Sequence, residues 1–260
     1  MVIRALGTFA VLVVVSMLAG CGGSRSVGAA GADGESGTAY GSRGADGGSA
    51  DSTTRDGDRT TETSTETHPA VSRLVVDSDA GNIEILPGSD DGSEVTSVLR
   101  WSGDARPEVT QTVEGDTLRI TSRCPRLDGE HCSTDFTVNL PVTAAVEATV
   151  AAGGVTVRDL RGTQRLTSSA GNVSATGLRA ADVRVEARAG SVDLEFADAP
   201  QTVDAQSKAG NVRIAVPSGP YRIDAGTVAG RVKVGVDQDQ GADRSITART
   251  VAGSVTIEPS

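Results

Sequence analysis

The chain has 260 residues, room for one or two domains. Its 32 glycines and 2% aromatic content exclude a conventional core built on Phe, Tyr and Trp. A formal net charge of -10 excludes the basic face that nucleic-acid binding requires.

Residues 1–20 read as a targeting segment, with one positive charge at Arg4 and an apolar stretch over residues 9–15. That stretch is too short to cross a bilayer, which takes roughly 20 apolar residues. Leu18-Ala19-Gly20-Cys21 follows directly and resembles the lipobox of bacterial lipoproteins. The resemblance implies cleavage before Cys21 and a diacylglycerol group on its sulfur. Two acyl chains give the stable membrane binding that one chain does not. A plain secretory signal would instead leave Cys21 as an unpaired thiol or remove it.

Residues 21–70, after the anchor cysteine, are dominated by Gly, Ser, Thr, Asp and Ala and show no apolar period. Such a stretch buries too little surface to offset its ordering entropy and is expected to form a disordered stalk. As a flexible coil it would reach roughly 35–42 Å. His68 is expected to be a solvated stalk residue, and the Thr-rich run 60–67 is a candidate for O-linked sugar. The folded domain is then expected over residues 71–260.

Within it one phrase recurs: Ala-Gly, a mostly small or polar residue, a branched aliphatic, any residue, then usually an aliphatic. Its glycines are Gly81, Gly153, Gly171, Gly190, Gly210, Gly230 and Gly253, at steps of 72, 18, 19, 20, 20 and 23 residues. Such spacing is the mark of a repeat architecture. Residues 86–150, the long step, form a cap-like insertion. It offers strands at 95–101, 108–113, 118–122 and 136–140, the middle pair being a hairpin around Glu114-Gly115-Asp116. Trp101 and Phe136 fall here and are expected to pack the cap that a repeat stack needs.

Residues 151–260 carry the contiguous repeats. Val183, Val185, Ala187 and Ala189 alternate with Arg184, Glu186 and Arg188, a period of two that marks a half-buried strand. Each repeat is therefore strand, glycine turn, strand. Two architectures fit. Gly-Asn and Gly-Ser suit hairpin loops, which in series give a meander or sandwich; alternatively each glycine is the corner of a β-solenoid coil, with coils stacked ~4.8 Å apart. Inward positions filled by Ala, Ser and Thr leave a ~10 Å sheet gap unfilled, which favours the solenoid. Stacking would set Arg184 over Asp204 and Asp193 over Arg213. The far edge is expected near Ser260, where Pro259 cannot donate to another strand.

The repeated Ala-Gly-Asn-Val phrases, the strand ends Leu140-Pro141 and Val216-Pro217, and the upstream lipobox together resemble the bacterial "putative adhesin" family of β-strand-repeat lipoproteins, a domain family of unknown function. The resemblance covers about residues 71–260. It implies an all-β, β-helix-like or solenoid fold on the cell surface and carries no catalytic residues. The cysteines of the long interval look like a local addition.

Candidate chemistry is sparse. Cys124 and Cys132 lie close in an extracytoplasmic chain, so a disulfide is expected, worth roughly 2.5 kcal/mol for so short a loop. A metal site of Cys124, His131 and Cys132 is the rival, weakened because adjacent strand residues point to opposite faces and no fourth ligand is near. With His131 the domain's only histidine, a Ser-His-Asp arrangement has little to build on. Asp193 and Glu195 share a strand face, and Asp204 and Asp224 would stack on neighbouring coils, a spacing that serves glycoside hydrolysis. Interleaved arginines favour a solvated charged face instead. Asp237, Asp239 and Asp243 crowd one spacer and are a calcium candidate, although Gly241 breaks the EF-hand pattern.

The sequence thus predicts a lipid-anchored, extracytoplasmic β-repeat module, binding or structural, without catalysis or cofactor. Its partners would be the membrane, through the N-terminal lipid, and a cell-surface protein or glycan. A carbohydrate-active β-helix enzyme and an envelope sensor partnering a membrane protein are the alternatives. The near-absence of lysine, with only Lys208 and Lys233, points to a GC-rich genome of actinobacterial type.

Overall fold

The computed structural model describes residues 51–126 and 130–260. The segment expected to hold the signal and Cys21 lies outside them. The chain opens with β1 (Ser52–Asp56) and β2 (Arg59–Pro69), followed by β3 (Arg73–Ala80) and β4 (Ile83–Pro87). The long interval holds β5 (Gly92–Ser102), β6 (Glu108–Glu114), β7 (Thr117–Arg123) and β8 (Cys132–Leu140). The contiguous repeats supply β9 (Ala145–Ala152), β10 (Val155–Arg158), β11 (Gln164–Ala170), β12 (Val173–Leu178), β13 (Asp182–Ala189) and β14 (Val192–Phe196). They end with β15 (Thr202–Ala209), β16 (Val212–Val216), β17 (Arg222–Ala229), β18 (Val232–Val234), β19 (Ser245–Ala252) and β20 (Val255–Pro259).

The two strands of each repeat do not pair with each other, as a hairpin would require. The first joins a nine-stranded sheet and the second an eleven-stranded one, and both pair in parallel with the equivalent strands of neighbouring repeats. This is the solenoid arrangement. Inward residues stack in columns, for instance Val146, Gln164, Val183 and Val203 in one sheet. Val155, Val173, Val192 and Val212 form the matching column in the other. All eight are buried, and the narrow core is built almost wholly of aliphatic side chains.

The turn glycines form a ladder. Each takes a positive φ, between 109° and 155°. A methyl group on Gly190 would come 2.0 Å from the carbonyl oxygen of Gly171, and one on Gly210 2.1 Å from that of Gly190. The repeated glycine therefore answers two demands, a backbone conformation closed to L side chains and a close approach of consecutive coils. The residue after it explains the frequent Asn. Asn82 Oδ1 accepts from the Gly154 amide at 2.9 Å, and Asn172 and Asn211 do the same for Ser191 and Ser254, at 2.8 Å each.

The inward hydroxyls have a partner as well. Ser168, Ser207, Thr250 and Thr227 donate to the carbonyls of Gly153, Gly190, Gly210 and Gly253 at 3.0, 2.9, 2.8 and 2.8 Å. Small polar residues at these positions thus satisfy the turn carbonyls of the adjacent coil, besides keeping the coil narrow.

Several boundaries differ from expectation. The stalk does not extend to residue 70: β2 pairs antiparallel with β5 along its whole length, from Arg59 opposite Ser102 to Pro69 opposite Gly92. The Thr-rich run is polar because, apart from buried Thr60, it is half exposed or exposed on both faces, and threonine suits such a strand. His68 is a strand residue with Nε2 2.8 Å from Gln111 Oε1. The long interval is also only partly an insertion. Strands β7 and β8 form a further coil beside β3 and β4, with Leu118 opposite Leu74 and Phe136 opposite Ile83. The antiparallel strands β1, β2, β5 and β6 cap that end, where Arg106 binds Glu62 at 2.6 Å and lies 5.5 Å from the Trp101 ring.

The other end overturns the expected order. The last repeat in sequence is not the last in space: β19 lies between β15 and β17, and β20 between β16 and β18. Pro259 therefore sits opposite Val216 inside the stack, and the edge is β17 and β18. Ile246, Ala248 and Thr250 of β19 are buried in this interior position. In β17 only Ile223 is, and β18 is exposed or half-exposed throughout. The inward residues of the two strands are the same, Ile223, Ala225 and Thr227 against Ile246, Ala248 and Thr250, so the lower burial of β17 follows from its place at the edge.

Candidate functional site

Inserting β19 beside β15 composes a surface that no contiguous stretch contains. On the outer face of the nine-stranded sheet, Glu186, Gln206, Arg249 and Gly226 are in register across β13, β15, β19 and β17. Two residues further along, Arg188, Lys208, Val251 and Val228 follow in the same strand order and are all exposed. Between these rows lies a groove of about 610 Å³. Gly226, with no side chain, leaves it open towards the edge strand.

Its electrostatics are set by which charges are already engaged. Arg249 binds Asp224 across the strands, and Arg184 binds both Glu186, at 2.6 Å, and Asp204, at 3.3 Å. Hydrogen bonds to these carboxylates, with their charges, hold both guanidiniums more firmly protonated than usual. Arg188 and Lys208 enter no ion pair among the described residues, and they are the cations left for an incoming group. Val251 and Val228, 52% and 83% exposed, form the apolar remainder.

The sequence-predicted residues are distributed elsewhere. Cys124 and Cys132 are bonded, with Cα atoms 5.8 Å apart. His131 is in that loop; its amide donates to Ser102 Oγ at 2.8 Å. The pairs Arg184–Asp204 and Asp193–Arg213 stack as expected, the second at 2.9 Å. Each is an exposed contact, screened by solvent. Arg213 also holds Glu258 of β20 at 2.7 Å, and the hydrogen bonds it donates to Glu258 and then Asp193 raise its pKa.

Asp204 and Asp224 are not neighbours, because the inserted β19 puts Thr247 between them. Nor do Asp237, Asp239 and Asp243 converge: among the described residues no three His, Cys, Asp or Glu side chains gather as metal ligands would. Asp239 Oδ1 instead accepts from the Gly241 amide at 2.8 Å, and the Asp237 carbonyl accepts from the Tyr221 amide at 3.1 Å. The spacer is the crossing that carries the chain back over the edge coil.

The groove residues escaped the sequence reading. Arg188 and Lys208 are legible as outward strand positions one repeat apart. Val251 and Val228 join them only through the exchanged order of the last two coils.

Residues 130–258 match the family described as Toastrack DUF4097. No curated protein matches the sequence. Among solved structures, a "putative cell adhesion protein" from Clostridium sporogenes ATCC 15579 is 13% identical, over 76% of this chain and 100% of that one, with a TM-score of 0.45. A "putative adhesin" from Bacteroides fragilis NCTC 9343 is also 13% identical, over 76% of this chain and 96% of that one, with a TM-score of 0.47.

Proposed function

The chain belongs, through residues 130–258, to the Toastrack DUF4097 family of unknown function, and from that premise we propose that it is a non-catalytic binding module of the bacterial cell surface. It is held at the outer face of the membrane by lipid on Cys21, and its ligand is a surface protein or glycan component that engages the groove of the nine-stranded sheet. The groove itself is the observation that carries this reading: Arg188 and Lys208, in no ion pair among the described residues, beside exposed Val251 and Val228.

Two further points support it. The Cys124–Cys132 bond suits an oxidising, extracytoplasmic compartment, and the Leu18-Ala19-Gly20-Cys21 phrase supplies an anchor. Carbohydrate cleavage has less support, because Asp193 is engaged by Arg213 and Asp204 by Arg184, leaving no free carboxylate pair at those positions.

Anchoring is tested by fractionating cells that express wild-type or Cys21→Ser protein. The wild type is expected in the membrane fraction, sensitive to protease added outside, and the variant is expected to be released. Ligand binding is tested by retention of the purified chain on immobilised envelope material, which Arg188→Glu with Lys208→Glu is expected to abolish. Equal retention of that variant would remove the groove from the function. A stoichiometric membrane protein retained with the chain would assign the sensor role instead.

A further inference from the structure

The groove is polarised along the stack. Reading across the strands, its outer row runs Arg188, Lys208, Val251, Val228: two cations, then two exposed valines. Three strand spacings of ~4.8 Å separate the first from the last, about 14 Å in all. Of the exposed large hydrophobic side chains among the described residues, Val228, Val251 and Val232 all lie at this open end, and Val113 lies on β6. Along this row charge and apolar surface are segregated to opposite ends, while the charges of the facing row, Glu186 and Arg249, are already held in ion pairs with Arg184 and Asp224.

A ligand that matches such a gradient has a compact anionic group at one end and a short hydrocarbon body at the other. A purely anionic chain would leave the valines uncovered, and a purely apolar one would leave both cations beneath it without a counter-charge. A bilayer surface is disfavoured, since a protein of formal net charge -10 is repelled by anionic lipid headgroups taken together. A single molecule in the groove meets Arg188 and Lys208 without a competing ion pair, since the other lining charges, Glu186 and Arg249, are already paired. Resting on the reading that this groove is the ligand face, we infer that it binds one molecule of a single-chain anionic amphiphile. The anionic group sits on Arg188 and Lys208, and the chain lies over Val251 and Val228.

The experiment is a calorimetric titration of the full chain carrying Cys21→Ser, which removes any acyl group of its own, with dodecanoate below its micellar concentration. Saturable one-to-one binding is expected. It should weaken about tenfold or more in Arg188→Glu with Lys208→Glu, and about tenfold in Val228→Ser with Val251→Ser. All four side chains are exposed, so both variants should melt with the parent, which a thermal scan checks.

Absence of binding overturns the inference. So does equal binding of acetate or of dodecyltrimethylammonium, affinity unchanged in either variant, or binding seen only with anionic phospholipid vesicles. If dodecanoate fails while the charge-reversed protein still loses retention on envelope material, the ligand class assigned here is wrong and the groove's role stands.

Discussion

Gly253 follows Gly210 in space although Gly230 lies between them in the chain: a methyl group on Gly253 would come 2.2 Å from the Gly210 carbonyl oxygen, and one on Gly230 would come 1.8 Å from that of Gly253. The ladder therefore records the true order of the coils. It also makes each turn glycine a contact between repeats, so its replacement disturbs two coils at once.

Gly190→Ala is expected to destabilise the domain by about 3–5 kcal/mol, combining a φ of 152° with a backbone clash. Gly115→Ala provides the control, since that hairpin glycine has a φ of 64° and nothing within 4 Å of an added methyl. It should cost about 1–2 kcal/mol. Urea denaturation of the two variants measures the contrast, and equal losses would show that the close approach contributes nothing.

Thr250→Val keeps the shape of a buried side chain but removes the donor to the Gly210 carbonyl at 2.8 Å. The expected loss is about 1–3 kcal/mol, because the carbonyl is left without that partner in a buried corner. Ser207→Ala, which takes the same bond from Gly190, should behave alike. A stability unchanged in both would mean that the hydroxyl column serves only to keep the coils narrow.

Removing residues 245–260 tests the exchanged order. With β19 and β20 inside the stack, their loss should also strip hydrogen-exchange protection from β17 and β18, which pair with them. In a stack that followed the sequence, β17 and β18 would retain protection through β15 and β16.

Tyr221 is fully buried at the crossing, and its hydroxyl donates to the Pro217 carbonyl at 2.8 Å. Burial raises its pKa above the ordinary value of 10.0, and the charge of Arg244 opposes the shift. The proton is therefore held more tightly in the folded state. The resulting stability is fully present below pH ~10 and is lost as pH rises through the folded pKa. Tyr221→Phe should cost about 1 kcal/mol at neutral pH and flatten this alkaline decline. A stability curve between pH 8 and 12 reads both effects.

Local sequence determined the coil. The period of two in Val183–Arg184–Val185–Glu186 settles which side chains turn inward, and the glycine spacing settles where each coil bends, because both are dictated by backbone geometry within a few residues. It also fixed cross-coil pairs such as Asp193 with Arg213, since equal repeat lengths bring equal positions into register. Tertiary structure decided what local geometry leaves degenerate. The Val203 of β15 can stack on Ile223 or on Ile246 with the same parallel hydrogen bonds. The inward residues of β17 and β19 are the same, so local sequence does not choose between them, and the choice of Ile246 is visible only in the assembled stack. Strand β2 was hidden for a similar reason. A threonine-rich strand half exposed on both faces has the composition of a linker until β5 pairs with it. The groove inherits this dependence: its cations could be placed from repeat spacing, and its valines arrive beside them only through the exchange of the last two coils.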